Sequence, residues 1–227
     1  MNLTNKVVVI VGGSQGFGKS LAKLFINEGA KVAIISKNKS TVELTAQEIG
    51  VIPFVADVRS EESLNQVATE IVNMLGNIDI WINSAGVFMK FPNNEPLNMD
   101  RAREMFDVNF FGTVLGSKVA ISHLNKDGSI INILSSAALD ATRAIGASLY
   151  ASSKWAVRGY TDALRAENKD INVFSIYPGG MKTHLHDEAI PAEFNNFMNP
   201  DYVSAKVIDN LKLDKPELEL IIKRPSA

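Results

Sequence analysis

A doubly wound α/β fold is the expectation for this chain, and three observations carry it. Short runs rich in Val and Ile alternate with longer stretches of helical period along the whole sequence. Most of these runs are apolar at consecutive positions, as strands buried on both faces of a parallel sheet are. A glycine-rich turn joins the first run to the first helical stretch. The chain has 227 residues, 46% of them apolar. One domain over 1–227 then has enough core to need neither disulfide nor structural metal.

The elements follow in order. Val7–Val11 is β-branched throughout and forms the first strand; the glycine turn leads from it into a helix over about 16–28. Val32–Ile35 is the second strand, followed by a helix over 40–49, and Ile52–Val55 is the third, followed by a helix over 60–75. Ile78–Asn83 is the fourth. Val87–Asn98, with Pro92, Asn93, Asn94 and Pro96, reads as a loop. A long helix over 99–123 leads to the fifth strand, Ser129–Leu134. A helix over 148–168 precedes Val173–Tyr177, and one over 201–212 precedes Leu218–Ile222. That makes seven strands in a mostly parallel sheet. His184–Pro200 interrupts the rhythm after the sixth strand. Irregular segments beyond strand carboxyl ends are where such sheets bind ligands, so 184–200 is the expected substrate-loop region.

Composition excludes several classes. There is no cysteine, so thiolate chemistry is out and a reducing cytoplasm suits the chain. A formal net charge of -2 without long charge runs gives no broad positive field for nucleic acid or anionic lipid. No stretch approaches the ~20 apolar residues of a membrane span. The apolar run at 7–11 is too short, and too poorly preceded by positive charge, for a secretory leader. His184 and His186, two residues apart, do not share a helical face, and no metal site is assigned.

The glycine turn, Gly12-Gly13-Ser14-Gln15-Gly16-Phe17-Gly18-Lys19-Ser20, offers phosphate close backbone approach and the free N–H groups of a helix start. It fits two patterns. Counted from Gly13 it is a P-loop, with Lys19 on phosphates and Ser20 on magnesium. Counted from Gly12 it is a dinucleotide turn in which Gly12, Gly16 and Gly18 line a pyrophosphate.

Further motifs follow in order: Asn83-Ser84-Ala85-Gly86 at the fourth strand end, Asn109 in the next helix and Ser135-Ser136 at the fifth strand end. Tyr150-Ala151-Ser152-Ser153-Lys154 then opens a helix, and Pro178-Gly179-Gly180-Met181-Lys182-Thr183 follows the sixth strand. With the Gly12-based spacing, this set resembles the short-chain dehydrogenase/reductase family over about residues 5–223. The resemblance implies a Rossmann fold and hydride transfer between a nicotinamide cofactor and a carbonyl or secondary alcohol. It implies a catalytic set of Asn109, Ser136, Tyr150 and Lys154, with Ser135 the neighbour that could take the role of Ser136. Ser14, Gln15, Phe17, Ala85 and Gly86 would line the cofactor, as would Asp57, Val58 and Asn83. Tyr150 and Lys154 would contact it too, Lys154 at the nicotinamide ribose, and Pro178, Gly179, Met181 and Thr183 would hold its carboxamide end. Asn109 would order a water beside the lysine. Asp57 would meet the adenine edge, or else cap the helix after it. A homodimer or homotetramer is implied as well. The alternatives are a dinucleotide-sensing regulator without turnover and a P-loop NTPase.

The second strand ends at Ser36-Lys37 with no carboxylate to take a ribose 2′-hydroxyl. A small hydroxyl and a cation suit a 2′-phosphate, which favours NADP (NADPH) over NAD, with Lys37, and Ser36 or Asn38 beside it, as ligands. Tyr150 and Lys154 lie one helical turn apart. A cation about 5 Å from a phenol favours the phenolate by about 3 kcal/mol at an effective dielectric near 20. That is roughly two pKa units, enough to prime an acid/base.

Overall fold

A computed structural model of the chain describes residues 1–91, 95–186, 190, 191 and 193–224. Residues 92–94 of the expected loop and 187–189 and 192 of the 184–200 segment lie outside the described residues. The strands are β1 (Val7–Val11), β2 (Lys31–Ser36), β3 (Ile52–Val55), β4 (Ile78–Asn83), β5 (Leu124–Ile133), β6 (Asn172–Pro178) and β7 (Glu219–Ile222). They form one sheet in the order β3-β2-β1-β4-β5-β6-β7. Every pairing is parallel, including that of β7.

The helices are α1 (Gly16–Asn27), α2 (Lys39–Ile49), α3 (Glu61–Leu75), α4 (Met99–Phe106), α5 (Gly112–His123), α6 (Ser148–Glu167) and α7 (Pro200–Lys212). Alternate strand residues feed two cores, because side chains of a strand point to opposite faces. Val8, Ile10 and Ile34 meet Leu21, Phe25, Val42, Val203 and Val207 from α1, α2 and α7. Val9, Val11 and Trp81 meet Leu64, Ile71, Val119 and Leu164 from α3, α5 and α6. This is the Rossmann arrangement, with no helix among the described residues long and apolar enough to cross a membrane.

The order of winding reverses between β1 and β4. Ligands of such sheets lie outside the strand carboxyl ends at that point. One buried polar chain stiffens the floor there. Trp81 Nε1 donates to Asn83 Oδ1 (2.9 Å), and Asn83 Nδ2 donates to Ser117 Oγ (3.0 Å) and Asn132 Oδ1 (2.8 Å). Asn132 Nδ2 in turn donates to Thr161 Oγ1 (3.0 Å), so β4, β5, α5 and α6 are joined across the interior. Gly116 leaves room for it, since a Cβ there would overlap Asn83 Oδ1.

The first and last helices also pack together. Ser20 Oγ donates to Asp201 (2.6 Å), and Lys212 pairs with Glu28 (2.9 Å). Leu21 and Phe25 share a core with Val203, Val207 and Leu211.

Two expectations change. The helix expected over 99–123 is broken by a π-helical turn at Asp107–Phe111. Strand β5 begins at Leu124 rather than Ser129. Leu124 pairs with Ile78 across a register shift, and Asn125 Nδ2 bonds Asp79 Oδ1 (3.1 Å), so polar residues are held in the strand by β4.

Candidate active site

The glycine turn leaves β1 with Gly12 at φ +81°, a left-handed conformation that costs glycine little. A Cβ on Gly12 would sit 2.6 Å from the Ala85 backbone, and one on Gly18 would overlap the Gly12 carbonyl. A Cβ on Gly16 would come within 3.2 Å of Thr183. The turn therefore brings Ala85 and Thr183, both expected cofactor residues, to Gly12 and Gly16. Gln15 precedes α1 without a side-chain cap, so the first-turn N–H groups remain for a ligand. Thr45 Oγ1 donates to the Ser14 carbonyl (2.7 Å) and Ser14 Oγ to Ser36 Oγ (3.0 Å), which pins the turn to α2 and β2. The P-loop reading loses its two side chains here. Lys19 is paired with Glu48 (2.6 Å) and Ser20 bonds Asp201.

At the end of β2, Ser36 is tied to Ser14, and Asn38 Oδ1 caps α2 by accepting from Thr41 N (3.1 Å). That leaves Lys37 as the cation at this strand end. On the neighbouring strand end, the Arg59 guanidinium grips the Asp57 carboxylate (2.5 Å for Nη2, 3.0 Å for Nε) and holds its carboxyl below the usual range. Asp57 does not cap α3. Ser60 does, accepting from Ser63 N (3.2 Å). Val58 packs on Gly112, where a Cβ would approach it to 2.9 Å.

Tyr150 and Lys154 lie on α6, 8% and 6% exposed. Lys154 Nζ donates to the Ile133 carbonyl (3.0 Å). The Ser135 side chain acts on the phenol, holding it down against the effect of burial. Of the two serines weighed for the substrate oxygen, the structure thus brings Ser135 to Tyr150, whereas Ser136 starts a 3₁₀ turn and its carbonyl accepts from Leu139 and Asp140. Strand alternation does not choose between them, because β5 ends at Ile133 and the backbone bends at Ser136.

The electrostatics also depart from expectation. Burial raises the phenol of Tyr150, with Ser135 opposing it, and burial lowers Lys154 to about 8. Desolvation therefore dominates both groups, and the side chain that opposes it at the phenol is Ser135.

Asn109 sits in the π-helical turn, fully buried. Its Nδ2 donates to the Val87 carbonyl (3.0 Å) and Ser153 Oγ (3.1 Å), and its Oδ1 accepts from Val87 N (2.8 Å). Ser153 Oγ donates to the Tyr150 carbonyl (2.8 Å). Asn109 therefore ties the chain after β4 to the helix that carries the tyrosine. A Cβ on Gly86 would lie 3.3 Å from Asn109 Oδ1 and 3.8 Å from Lys154 Nζ, so Gly86 lies between these two side chains. The side chain of Asn83 is spent in the buried polar chain, which leaves its backbone alone to face a cofactor. Pro178 ends β6, Gly179 N donates to Ile222 O (3.0 Å), and Met181 bridges to Met198.

One feature was not legible beforehand. The ring of His186 lies 4.9 Å from Phe88 and 5.3 Å from Phe197. No metal partner singles it out in sequence, and Phe88, the ring that links it to Tyr150, lies nearly a hundred residues earlier.

Residues 6–193 match the short chain dehydrogenase family. The chain is 31% identical over 218 residues to carbonyl reductase family member 4 of Xenopus laevis, covering 90% of each protein. It is 30% identical over 224 residues to the uncharacterized oxidoreductase YxnA of Bacillus subtilis, which covers 91% of this chain but only 62% of that protein's length. Among solved structures, a short chain dehydrogenase from Burkholderia cenocepacia in complex with NADP superposes with a TM-score of 0.87 at 25% identity, over 98% of both chains. An alcohol dehydrogenase from Thermococcus sibiricus complexed with 5-hydroxy-NADP gives 0.83 at 25% identity, covering 98% of this chain and 99% of that one.

Proposed function

The chain belongs to the short chain dehydrogenase family of oxidoreductases, and from that premise we propose that it transfers a hydride between NADP(H) and a carbonyl or secondary alcohol, with Tyr150 as acid/base. The observation that carries the reading is the burial of Tyr150 and Lys154 together, one turn apart, with Ser135 on the phenol. The glycines of Gly12–Gly18 let the turn pack closely on Ala85 and Thr183, and the uncapped start of α1 offers its N–H groups to a pyrophosphate. Two structural relatives bound to NADP or 5-hydroxy-NADP support the choice of cofactor, as does Lys37 just after β2, a cation that would favour a 2′-phosphate. When bound, the nicotinamide supplies or accepts the hydride.

The protein's own residues handle the proton and the oxygen. Ser135 holds the substrate oxygen beside the phenol, and Tyr150 gives that oxygen its proton in reduction or removes it in oxidation. Lys154, at about 8, exchanges a proton near neutral pH and favours the phenolate whenever it is charged. Asn109 acts through Val87 and Ser153, holding Gly86 and α6 in register. The whole of 1–227 is read as one catalytic domain. Homodimers or homotetramers would form over α6, where Trp155 is 43% exposed.

Tyr150→Phe tests the reading. The variant should bind NADPH as the parent does and lose at least about 100-fold in turnover of a carbonyl substrate. Unchanged turnover would refute the role of Tyr150.

A further inference from the structure

We propose that the substrate is an uncharged ketone whose carbonyl is bonded directly to an aromatic ring, or the matching carbinol, held by a row of aromatic side chains that begins at Tyr150. The inference rests on the acid/base role given to Tyr150 above. Phe88, just after β4, meets the Tyr150 ring edge-on at 4.9 Å and 72°. His186 meets Phe88 at 4.9 Å and 66°, and Phe197 meets His186 at 5.3 Å and 66°. Phe194 closes the group, 6.1 Å from His186 and 5.5 Å from Phe197. The guanidinium of Arg224 covers the far end, 5.1 Å over Phe197.

These rings come from separate segments, and Phe88 links the group to the one side chain assigned to the chemistry. Phe88, His186, Phe194 and Phe197 are each partly exposed, unlike the fully buried Phe25 and Phe174 that fill the core. Their positions are also held. A Cβ on Gly180 would press to 2.6 Å on the Phe197 ring, and the Met181–Met198 bridge ties the two strands of chain together.

Edge-to-face geometry sets the electropositive rim of one ring against the electronegative face of the next, and an arene entering the row gains the same contact. A saturated ring of equal size has no such rim and face. Because Phe88 touches the Tyr150 ring itself, an arene held by Phe88 can present its oxygen to the phenol only through a carbonyl attached to the arene. Charge is disfavoured at the reacting end. Among the described residues burial and Ser135 set the Tyr150 hydroxyl, and Lys154 Nζ is engaged by the Ile133 carbonyl, so burying a carboxylate beside the carbonyl would be costly.

The test is calorimetric titration of the NADP⁺-loaded protein with acetophenone, cyclohexyl methyl ketone and benzoylformate. Ketone with oxidised cofactor does not turn over, so the titration reads binding alone. Acetophenone should bind about 3- to 10-fold more tightly than the cyclohexyl analogue and more tightly than the charged keto acid. Phe88→Leu, and separately Phe197→Leu, should abolish the preference while leaving NADP⁺ affinity intact, which also reports that the variants fold. Equal affinity for the two neutral ketones, tighter binding of benzoylformate, or a preference that survives both substitutions would overturn the inference. Reduction of aliphatic ketones with NADPH and no aryl preference would do so while leaving hydride transfer standing. Failure of the parent protein to bind NADP⁺ would instead remove the cofactor reading, and the substrate inference with it.

Discussion

Replacing Lys154 with methionine should make the ligand-free protein more stable at neutral pH, although it removes a residue assigned to function. The lysine is 6% exposed, its Nζ has the Ile133 carbonyl at 3.0 Å, and burial lowers it from 10.5 to about 8. Below about pH 8 the ammonium is charged in the folded and unfolded chains alike, and the folded state alone bears the cost of desolvation. Above it the folded chain sheds the proton while the unfolded chain, at 10.5, keeps it, so the cost fades and parent stability rises with pH. The gap between the two values corresponds to about 3 kcal/mol. Methionine matches the length of the side chain, escapes that cost and forfeits one hydrogen bond worth about 1–2 kcal/mol, a loss that does not depend on pH. The net expectation is a gain of about 1–2 kcal/mol at pH 7 that falls by about 2 kcal/mol by pH 9.5. Urea unfolding of parent and variant at the two pH values measures it. A stability difference that stays flat with pH would show that Lys154 is not held as an uncomfortable charge.

Three further outcomes follow from the geometry. Lys37→Glu should weaken NADPH binding by at least about tenfold while changing NADH little, since a carboxylate there repels a 2′-phosphate; equal losses by calorimetry would refute the assignment. Ser135→Ala should lower kcat by about 10- to 100-fold with Ser136→Ala near parental, and the reverse order in steady-state kinetics would return the role to Ser136. Gly116→Ala should cost about 3–5 kcal/mol in chemical unfolding, because the new methyl group displaces Asn83 from Trp81, Ser117 and Asn132; a loss below about 1 kcal/mol would mean that the polar chain yields easily.

The strands were legible because five of them are dense in Val and Ile, and a strand buried on both faces needs no alternation to announce itself. The turn at Gly12–Gly18 and the Tyr150–Lys154 spacing were legible for a related reason, since both are local in sequence. What stayed hidden depends on distant partners. The π-helical turn at Asp107–Phe111 is stabilised by Asn109 reaching Val87 and Ser153, and no periodicity within 99–123 reports those bonds. Leu124 joins β5 by pairing with Ile78, and the polar stretch after it is held through Asn125, which bonds Asp79 and Asn77. The position of Asp57 suits its helix or an adenine edge, whereas Arg59, two residues on, claims its carboxylate. The expected lowering of the Tyr150 phenol considered one charge and left out the burial that acts on both groups.

The packing of α1 against α7 has a bearing on how the protein matures. The apolar side of α1, with Leu21 and Phe25, is covered by residues about 180 positions further on, and Ser20 waits equally long for Asp201. Contacts of such long range form late and slow the approach to the native state. On the ribosome the helix that follows the glycine turn is made long before α7, and it lacks its cover until α7 has emerged. A chain halted before Pro200 would leave the side of Leu21 and Phe25 that faces α7 uncovered, and competence to grip a cofactor should await the synthesis of α7.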